Sequence, residues 1–315
     1  MDRGRVLITD KVHTLLVEGL KDFGFTVDYD TSVDNEKLKS ILKNYQGIVI
    51  NSKIIMNQAL LDNSLALKFI ARLGSGMEII DVPYALSKGI SCINSPEGNR
   101  NAVAEHAVGM LLALANNLIQ ADQQVRKKVW NREENRGFEL KGKTIGIVGL
   151  GNTGSEFAKK LQNWGVRILV HDKYKVDFEP DLSFVQNVSL NDIFSSSDII
   201  SLHLPLTKET MYLINNESLS MCNDGVIIIN TSRGKVVHLD SLLGALESGK
   251  VGGACLDVFE NENPLSFSEK ESESYAKLYE RQNVILSPHI AGWTRESLQE
   301  IARVTLEKIK YVFQE

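Results

Sequence analysis

The stretch KTIGIVGLGNTGSEFAKKL, residues 143–161, decides the fold. An apolar strand over Thr144–Val148 runs into Gly149-Leu150-Gly151-Asn152-Thr153-Gly154, and a helix follows directly. Gly149 permits the tight turn, Gly151 lets the backbone approach a pyrophosphate, and Gly154 lets helix and strand pack closely. The start of the helix then offers unpaired N–H groups and a partial positive charge to phosphates. Glycines also mark ordinary turns, so the context has to carry the reading. A second strand ends in Asp172, 21 residues after Gly151. A carboxylate there can accept the ribose hydroxyls of NAD and repel the extra phosphate of NADP. Taken alone, Asp172 reads as a solvated strand-end residue; with the glycines upstream, cofactor binding is the expectation. Lys173 and Lys175 soften the discrimination against NADP.

Outward from this turn, short apolar runs alternate with amphipathic segments along the chain, the pattern of parallel βαβ units. In the first third, strands are expected at Arg5–Ile8, Thr26–Tyr29, Gly47–Ile50, Lys68–Arg72 and Ile90–Asn94. In the second series they are expected at Thr144–Val148, Val166–His171, Asp198–Leu204, Gly225–Asn230, Gly252–Asp257 and Val284–Leu286. Between the two series, AVAEHAVGMLLALANNLIQADQQV (102–125) reads as one buried connecting helix. Residues 260–282, acidic and polar, read as a long loop with a helical turn, and Thr294–Glu315 as an amphipathic helix. The fold class is therefore α/β, with two doubly wound parallel-sheet domains.

Bulk properties narrow the function classes. The chain has 315 residues, 43% of them hydrophobic, enough for two domain cores. A net charge of −5 without a basic run gives no reason to expect nucleic acid or a membrane surface as partner. Cys92, Cys222 and Cys255 are scattered and read as small buried residues. No His/Asp/Glu group has metal-ligand spacing, so no metal is expected. The first residues lack the apolar stretch of a signal peptide, so a cytoplasmic location is expected.

Hydride transfer between a 2-hydroxy acid and a nicotinamide needs a cation for the carboxylate, a proton carrier near neutral pH, and a group that orients the carrier. Arginine, histidine and a carboxylate suit these roles. Each has one candidate at a strand end of the second series: Arg233 in INTSRGKVV, Glu262 in CLDVFENENP, and His289 in NVILSPHIAG. Ligands of open parallel sheets sit at the carboxyl ends of strands, so the three can converge. Singly, each has an ordinary alternative, as a loop arginine, a solvated acid or a helix-cap histidine.

Seven segments together go further: ARLGSGMEIID (71–81), NRNAVAEHAVGMLLAL (99–114), LKGKTIGIVGLGNTG (140–154), SLHLPLT (201–207), INTSRGKVV (229–237), GACLDVFENENP (253–264) and SPHIAGWT (287–294). In this order the chain resembles the D-isomer-specific 2-hydroxyacid dehydrogenase family over essentially its whole length. The resemblance implies a flavodoxin-like substrate domain from both chain ends, 1–101 plus 290–315, and a Rossmann NAD domain at 102–289. It implies Arg233 as substrate anchor, Glu262 as the carboxylate behind the histidine, and His289 as acid/base. NAD contacts are implied for Ser75, Gly149, Gly151, Asn152, Thr153, Gly154, Asp172, His203, Pro205, Thr207, Thr231, Ser232, Asp257, Ala291 and Gly292. Gly74, Ser75 and Gly76 would hold the substrate carboxylate, with Arg233 and His289, and a homodimer is implied.

The chain also departs from the family pattern. Asn263 separates Glu262 from Pro264, Glu260 is a second acid that could pair with His289, and Asn152 stands where an arginine is usual. Among subgroups the resemblance is nearest to phosphoglycerate dehydrogenases, which convert 3-phosphoglycerate to phosphohydroxypyruvate in serine biosynthesis. The third-strand loop, VINSKII, has Asn51 in place of the subgroup's arginine, which leaves Lys53 as candidate phosphate ligand, assisted by Arg72 or Arg100. The alternatives are a glyoxylate/hydroxypyruvate reductase and a non-catalytic NADH-sensing corepressor.

Overall fold

A strand covered by helices on both faces buries every side chain, and Gly47–Ile50, Ile199–Leu202 and Val226–Asn230 are buried at each position. The computed structural model describes residues 2–175 and 180–313. It divides into two compact units, one of Met1–Arg100 with Trp293–Glu315 and the other of Asn101–Gly292.

In the first unit, β1 (Arg5–Ile8), β2 (Thr26–Tyr29), β3 (Gly47–Ile50), β4 (Phe69–Arg72) and β5 (Ser91–Ile93) form a parallel sheet in the order β2-β1-β3-β4-β5. This is the flavodoxin-like order. Alternate residues serve opposite faces: Leu7, Ile48, Ile50 and Ile70 pack into one core, and Val6, Ile8, Val49, Phe69 and Ala71 into another. The second core is completed by Ala302, Leu306 and Ile309 of the helix Arg295–Val312. Lys308 Nζ fastens that helix, donating to both Glu97 carboxylate oxygens and to the Asn94 carbonyl, each at 2.9 Å. The end of the chain belongs to the first unit because its apolar stripe fills that core.

The second unit is built on β6 (Thr144–Val148), β7 (Arg167–His171), β8 (Gln186–Asn187), β9 (Ile199–Leu202), β10 (Val226–Asn230), β11 (Val251–Leu256) and β12 (Val284–Leu286). All pairings are parallel, in the order β12-β11-β10-β9-β6-β7-β8. Chain order reverses between β6 and β9, so the glycine turn after β6 opens at the topological switch point of a Rossmann sheet.

Three expectations are corrected. The connecting helix is two helices, Arg100–Ala115 and Leu118–Arg126, bent by 61°. Asn117 makes the break with a left-handed φ of 51°, a conformation asparagine tolerates better than most residues, and the Phe138 N–H caps the free Ala115 carbonyl at 2.9 Å. No single helix among the described residues is long and apolar enough to cross a membrane. Residues 260–282 contain a regular helix, Glu269–Tyr279, started by a Ser268/Glu271 capping box and held by buried Tyr275 and Leu278. The edge strand β8 is too short and exposed to show as an apolar run. Glu315, the expected end of the last helix, lies outside the described residues.

Ser268→Ala removes the acceptor for the Glu271 N–H and is expected to lower stability by about 1 kcal/mol, read as a shift of the urea midpoint, whereas Ser268→Asp keeps the cap and leaves the midpoint in place.

Candidate active site

The glycine turn is shaped by contact. Gly149 has a φ of +91°, and a Cβ there would run into the His203 carbonyl; a Cβ at Gly154 would run into the carbonyl of Gly149. At Gly151 a Cβ would meet open space. Two glycines thus let the turn fold onto itself and the third leaves its outer surface clear. Gly151 is the N-cap of the helix Asn152–Leu161 and gives it no side-chain cap, so the first-turn N–H groups, with Asn152 and Thr153 in that turn, remain for an anion. Asp172 is more than a solvated strand end. Its Oδ2 accepts the Leu150 N–H at 2.7 Å, and its Oδ1 accepts those of Tyr174 and Lys175 at 2.9 and 3.0 Å. The carboxylate braces the turn and stands beside it.

Around the carboxyl edge of the sheet, enclosure pushes the His203 ring down to about 3, so it is neutral; its Nε2 meets Ser201 Oγ at 2.9 Å. Its Nδ1 and the Thr231 hydroxyl are buried without a protein partner. Two unmatched polar atoms at the ends of β9 and β10, beside a clear glycine turn, fit a dinucleotide lying across this edge. Pro205 and Thr207 form an exposed turn closed by Thr210, whose hydroxyl donates to the Pro205 carbonyl at 2.7 Å.

Arg233 follows β10 in a loop fixed by Asn230, which has no exposed surface. Its Oδ1 accepts from the Ser232 N–H and Oγ at 3.1 and 2.8 Å, and its Nδ2 donates to the Arg233 carbonyl at 2.9 Å. A Cβ at Gly234 would collide with the Phe259 carbonyl, so the Arg233 loop lies directly against the segment leading to Glu262. His289 Nδ1 donates to Glu262 Oε2 at 2.8 Å, with both side chains about half exposed. Burial raises the Glu262 carboxyl, but the His289 hydrogen bond and charge, the Phe259 N–H and the Arg233 charge outweigh it and hold the group below the ordinary carboxylate range. Glu260 is taken up elsewhere: its Oε2 accepts the Tyr212 hydroxyl at 2.8 Å and its Oε1 the Leu239 N–H at 2.6 Å. The first of these bonds helps push Tyr212 up to about 12. Of the two acids, Glu262 is the partner of His289.

Asp257 is wholly buried, its oxygens engaged by Ser287 Oγ and by the N–H groups of Ile290 and Ala291, in the loop that runs on to Gly292. Asn230 and Ser287 brace these loops and are passed over by motif reading; their sequence signal is a polar residue at an apolar strand end. Three other histidines hold local structure. His13 and His238 cap helices, and His171 bonds the Val188 carbonyl.

In the first unit, the Gly74–Gly76 loop is pinned by Ser95 Oγ on the Gly74 N–H at 3.1 Å and by Asn94 Nδ2 on the Ser75 carbonyl at 2.9 Å. Ser75 Oγ donates to Asn99 Oδ1 at 3.2 Å. The Arg72 guanidinium lies so close over Gly74 that a Cβ would strike its Nη1. Lys53 Nζ donates instead to the Thr31 carbonyl at 2.6 Å.

The tight turn makes a sharp test. Gly154→Ala is expected to weaken NADH binding about tenfold or more by calorimetry, in line with the roughly 1–3 kcal/mol that overpacking costs. Asp172→Ala is expected to narrow the NADH-over-NADPH preference, and equal efficiency with both cofactors in the parent protein contradicts the reading of Asp172.

The model of the family described as D-isomer specific 2-hydroxyacid dehydrogenase, NAD binding domain, matches residues 108–291. The D-3-phosphoglycerate dehydrogenase of Archaeoglobus fulgidus is 33% identical over 97% of this chain and 56% of its own length, and the hydroxypyruvate reductase of Thermotoga maritima is 36% identical over 100% and 99%. The chain thus spans little more than half the length of the phosphoglycerate dehydrogenases it matches. A crystal structure of D-lactate dehydrogenase from Aquifex aeolicus, complexed with NAD and lactic acid, superposes with a TM-score of 0.86 and 32% identity, covering 98% of this chain and 95% of that one. The chain belongs to the D-isomer-specific 2-hydroxyacid dehydrogenases, a family of NAD-dependent oxidoreductases, and Asn101–Gly292 contains its NAD-binding domain.

Proposed function

We propose that this chain interconverts a small D-2-hydroxy acid and its 2-oxo acid with NAD, and that Arg233, Glu262 and His289 carry the chemistry. The observation behind this reading is the 2.8 Å His289–Glu262 hydrogen bond beside the Arg233 loop, at the carboxyl edge of the sheet. NAD, when bound, accepts the hydride from C2 of the hydroxy acid. Arg233 grips the substrate carboxylate and polarises the C2 oxygen. Because Nδ1 of His289 donates to Glu262, Nε2 is the ring atom left to take the hydroxyl proton, and the Glu262 carboxylate stabilises the imidazolium that results. In the reverse direction Nε2 returns that proton to the 2-oxo oxygen. The backbone of Gly74–Gly76 is assigned to the substrate carboxylate. Gly149, Gly151, Asn152, Thr153, Gly154, Asp172, Thr231 and the loop after His289 are assigned to the cofactor.

The first substrate proposed is 3-phosphoglycerate, supported by the Arg72 guanidinium over the Gly74 loop, since a phosphate brought there needs a cation. Hydroxypyruvate is the second reading, supported by the Thermotoga maritima relative, matched over 99% of its length, and by Lys53 being engaged with Thr31. NADH oxidation with phosphohydroxypyruvate, hydroxypyruvate, glyoxylate and pyruvate separates them. Arg72→Ala and Lys53→Ala are expected to raise KM for phosphohydroxypyruvate far more than for glyoxylate. Equal changes for both remove the phosphate role. Tight NADH binding with no turnover on any acid favours an NADH sensor over an enzyme.

A homodimer is also proposed. The helix Leu118–Arg126 has no buried residue, and Leu118, Ile119, Val125 and Trp130 are exposed along it and just beyond. Exposed apolar side chains gathered on one helix and just beyond it suit a two-fold interface, and sedimentation as a monomer at micromolar concentration contradicts the dimer.

Glu262 supplies the pH test. Its carboxyl is held below its ordinary value, so its charge is lost at lower pH than that of an ordinary glutamate. Glu262→Gln removes the carboxylate that accepts the His289 Nδ1–H and is expected to shift a limb of the kcat/KM profile; Glu260→Gln is expected to leave the profile in place. The opposite pattern overturns the assignment.

A further inference from the structure

The buried Asp257 carboxylate accepts its hydrogen bonds from the segment that carries His289. Oδ1 accepts from Ser287 Oγ at 2.6 Å and from the Ile290 N–H at 2.9 Å, and Oδ2 accepts from the Ala291 N–H at 2.8 Å. The Asp257 backbone carbonyl accepts the His289 N–H at 2.7 Å. These bonds flank a residue with a φ of +54°, a left-handed conformation that a side-chain-bearing residue keeps only where its surroundings hold it. The clamp therefore sets the direction in which the His289 ring leaves the chain.

The Ser287 hydroxyl has one proton and gives it to the Asp257 carboxylate, which only accepts. In the 2.9 Å contact between Ser287 Oγ and His106 Nε2, the imidazole must then be the donor. His106 Nε2 also lies 3.6 Å from Asp257 Oδ1. His106 stands on the helix Arg100–Ala115, in the same compact unit as Ser287 and Asp257. Met110, one turn further along that helix, has its Sδ 3.8 Å from the same hydroxyl.

We propose that His106 is a positioning residue for the reaction: through its Nε2–H on Ser287 Oγ it fixes the Ser287–Asp257 clamp and so the placement of the His289 ring against Glu262. The proposal rests on the reading of His289 as proton carrier. It assigns His106 no contact with substrate or cofactor, so its loss acts on the chemical step more than on binding.

The test is NADH-dependent reduction of hydroxypyruvate by the full chain and by His106→Leu, His106→Gln, Ser287→Ala and His289→Ala, with NADH affinity measured by calorimetry. His106→Leu is expected to lower kcat about tenfold to a hundredfold, the effect of a small misplacement of a reacting group. KM for hydroxypyruvate and Kd for NADH are expected to stay within about twofold of the parent. His106→Gln, which restores an N–H donor, is expected to recover most of kcat, and Ser287→Ala to lower kcat as His106→Leu does. An unchanged kcat in His106→Leu overturns the proposal. So does a His106→Gln variant as impaired as His106→Leu, or a loss of NADH affinity parallel to kcat, either of which marks a packing role only. Should His106→Leu fail to fold, Ser287→Ala decides, because it cuts the relay without altering the helix. Full turnover by His289→Ala is a separate result: it defeats the reading of the site, and the proposal falls with it.

Discussion

The hydrogen bond from His289 Nδ1 to Glu262 Oε2 is the interaction on which the candidate site of the second unit depends. It joins two residues on separate loops, and neither loop holds its shape unaided. Glu262 leaves the chain just after β11, where Gly234 allows the Arg233 loop to press against Phe259. Its neighbour Glu260 is kept out of competition by Tyr212 and by the start of the helix Leu239–Ser248. His289 is held in a left-handed backbone conformation by the buried Asp257. Without these supports a half-exposed ion pair would be worth little and would sample many geometries; with them, His289 keeps its Nδ1 committed to Glu262.

A parallel sheet explains why such a pair can form between residues 27 positions apart. Since β10, β11 and β12 run in the same direction, their carboxyl ends lie along one edge, and the loops bearing Arg233, Glu262 and His289 leave that edge side by side. The glycine turn after β6 opens along the same edge at the switch point. The glycine turn and the His289–Glu262 pair are therefore brought to one edge by strand direction, not by any long-range coupling.

Much of this was legible in the amino-acid order, for local reasons. Buried parallel strands are continuous apolar runs, so IVI at 48–50 and VIII at 226–229 announce themselves. The glycine turn is legible because each glycine answers a local steric demand. Other features depend on partners far along the chain. The choice between Glu262 and Glu260 turns on Tyr212, 48 residues from Glu260, and the His106–Ser287 contact spans 181 residues. The helix Glu269–Tyr279 was hidden by its acidic surface, as only Tyr275 and Leu278 are buried, and its capping box was the signal that could have revealed it. At Asn117 a single left-handed residue breaks an otherwise uniform apolar helix, and nothing in the periodicity marks the place.

The central claim is that His289, oriented by Glu262, moves the proton that accompanies hydride transfer. Single-turnover stopped-flow oxidation of bound NADH by hydroxypyruvate, for the parent chain and His289→Ala at matched NADH occupancy, tests it most directly. The account predicts a chemical step slowed by roughly two to four orders of magnitude in His289→Ala, with NADH affinity unchanged. A near-normal single-turnover rate in that variant across the pH range would contradict it.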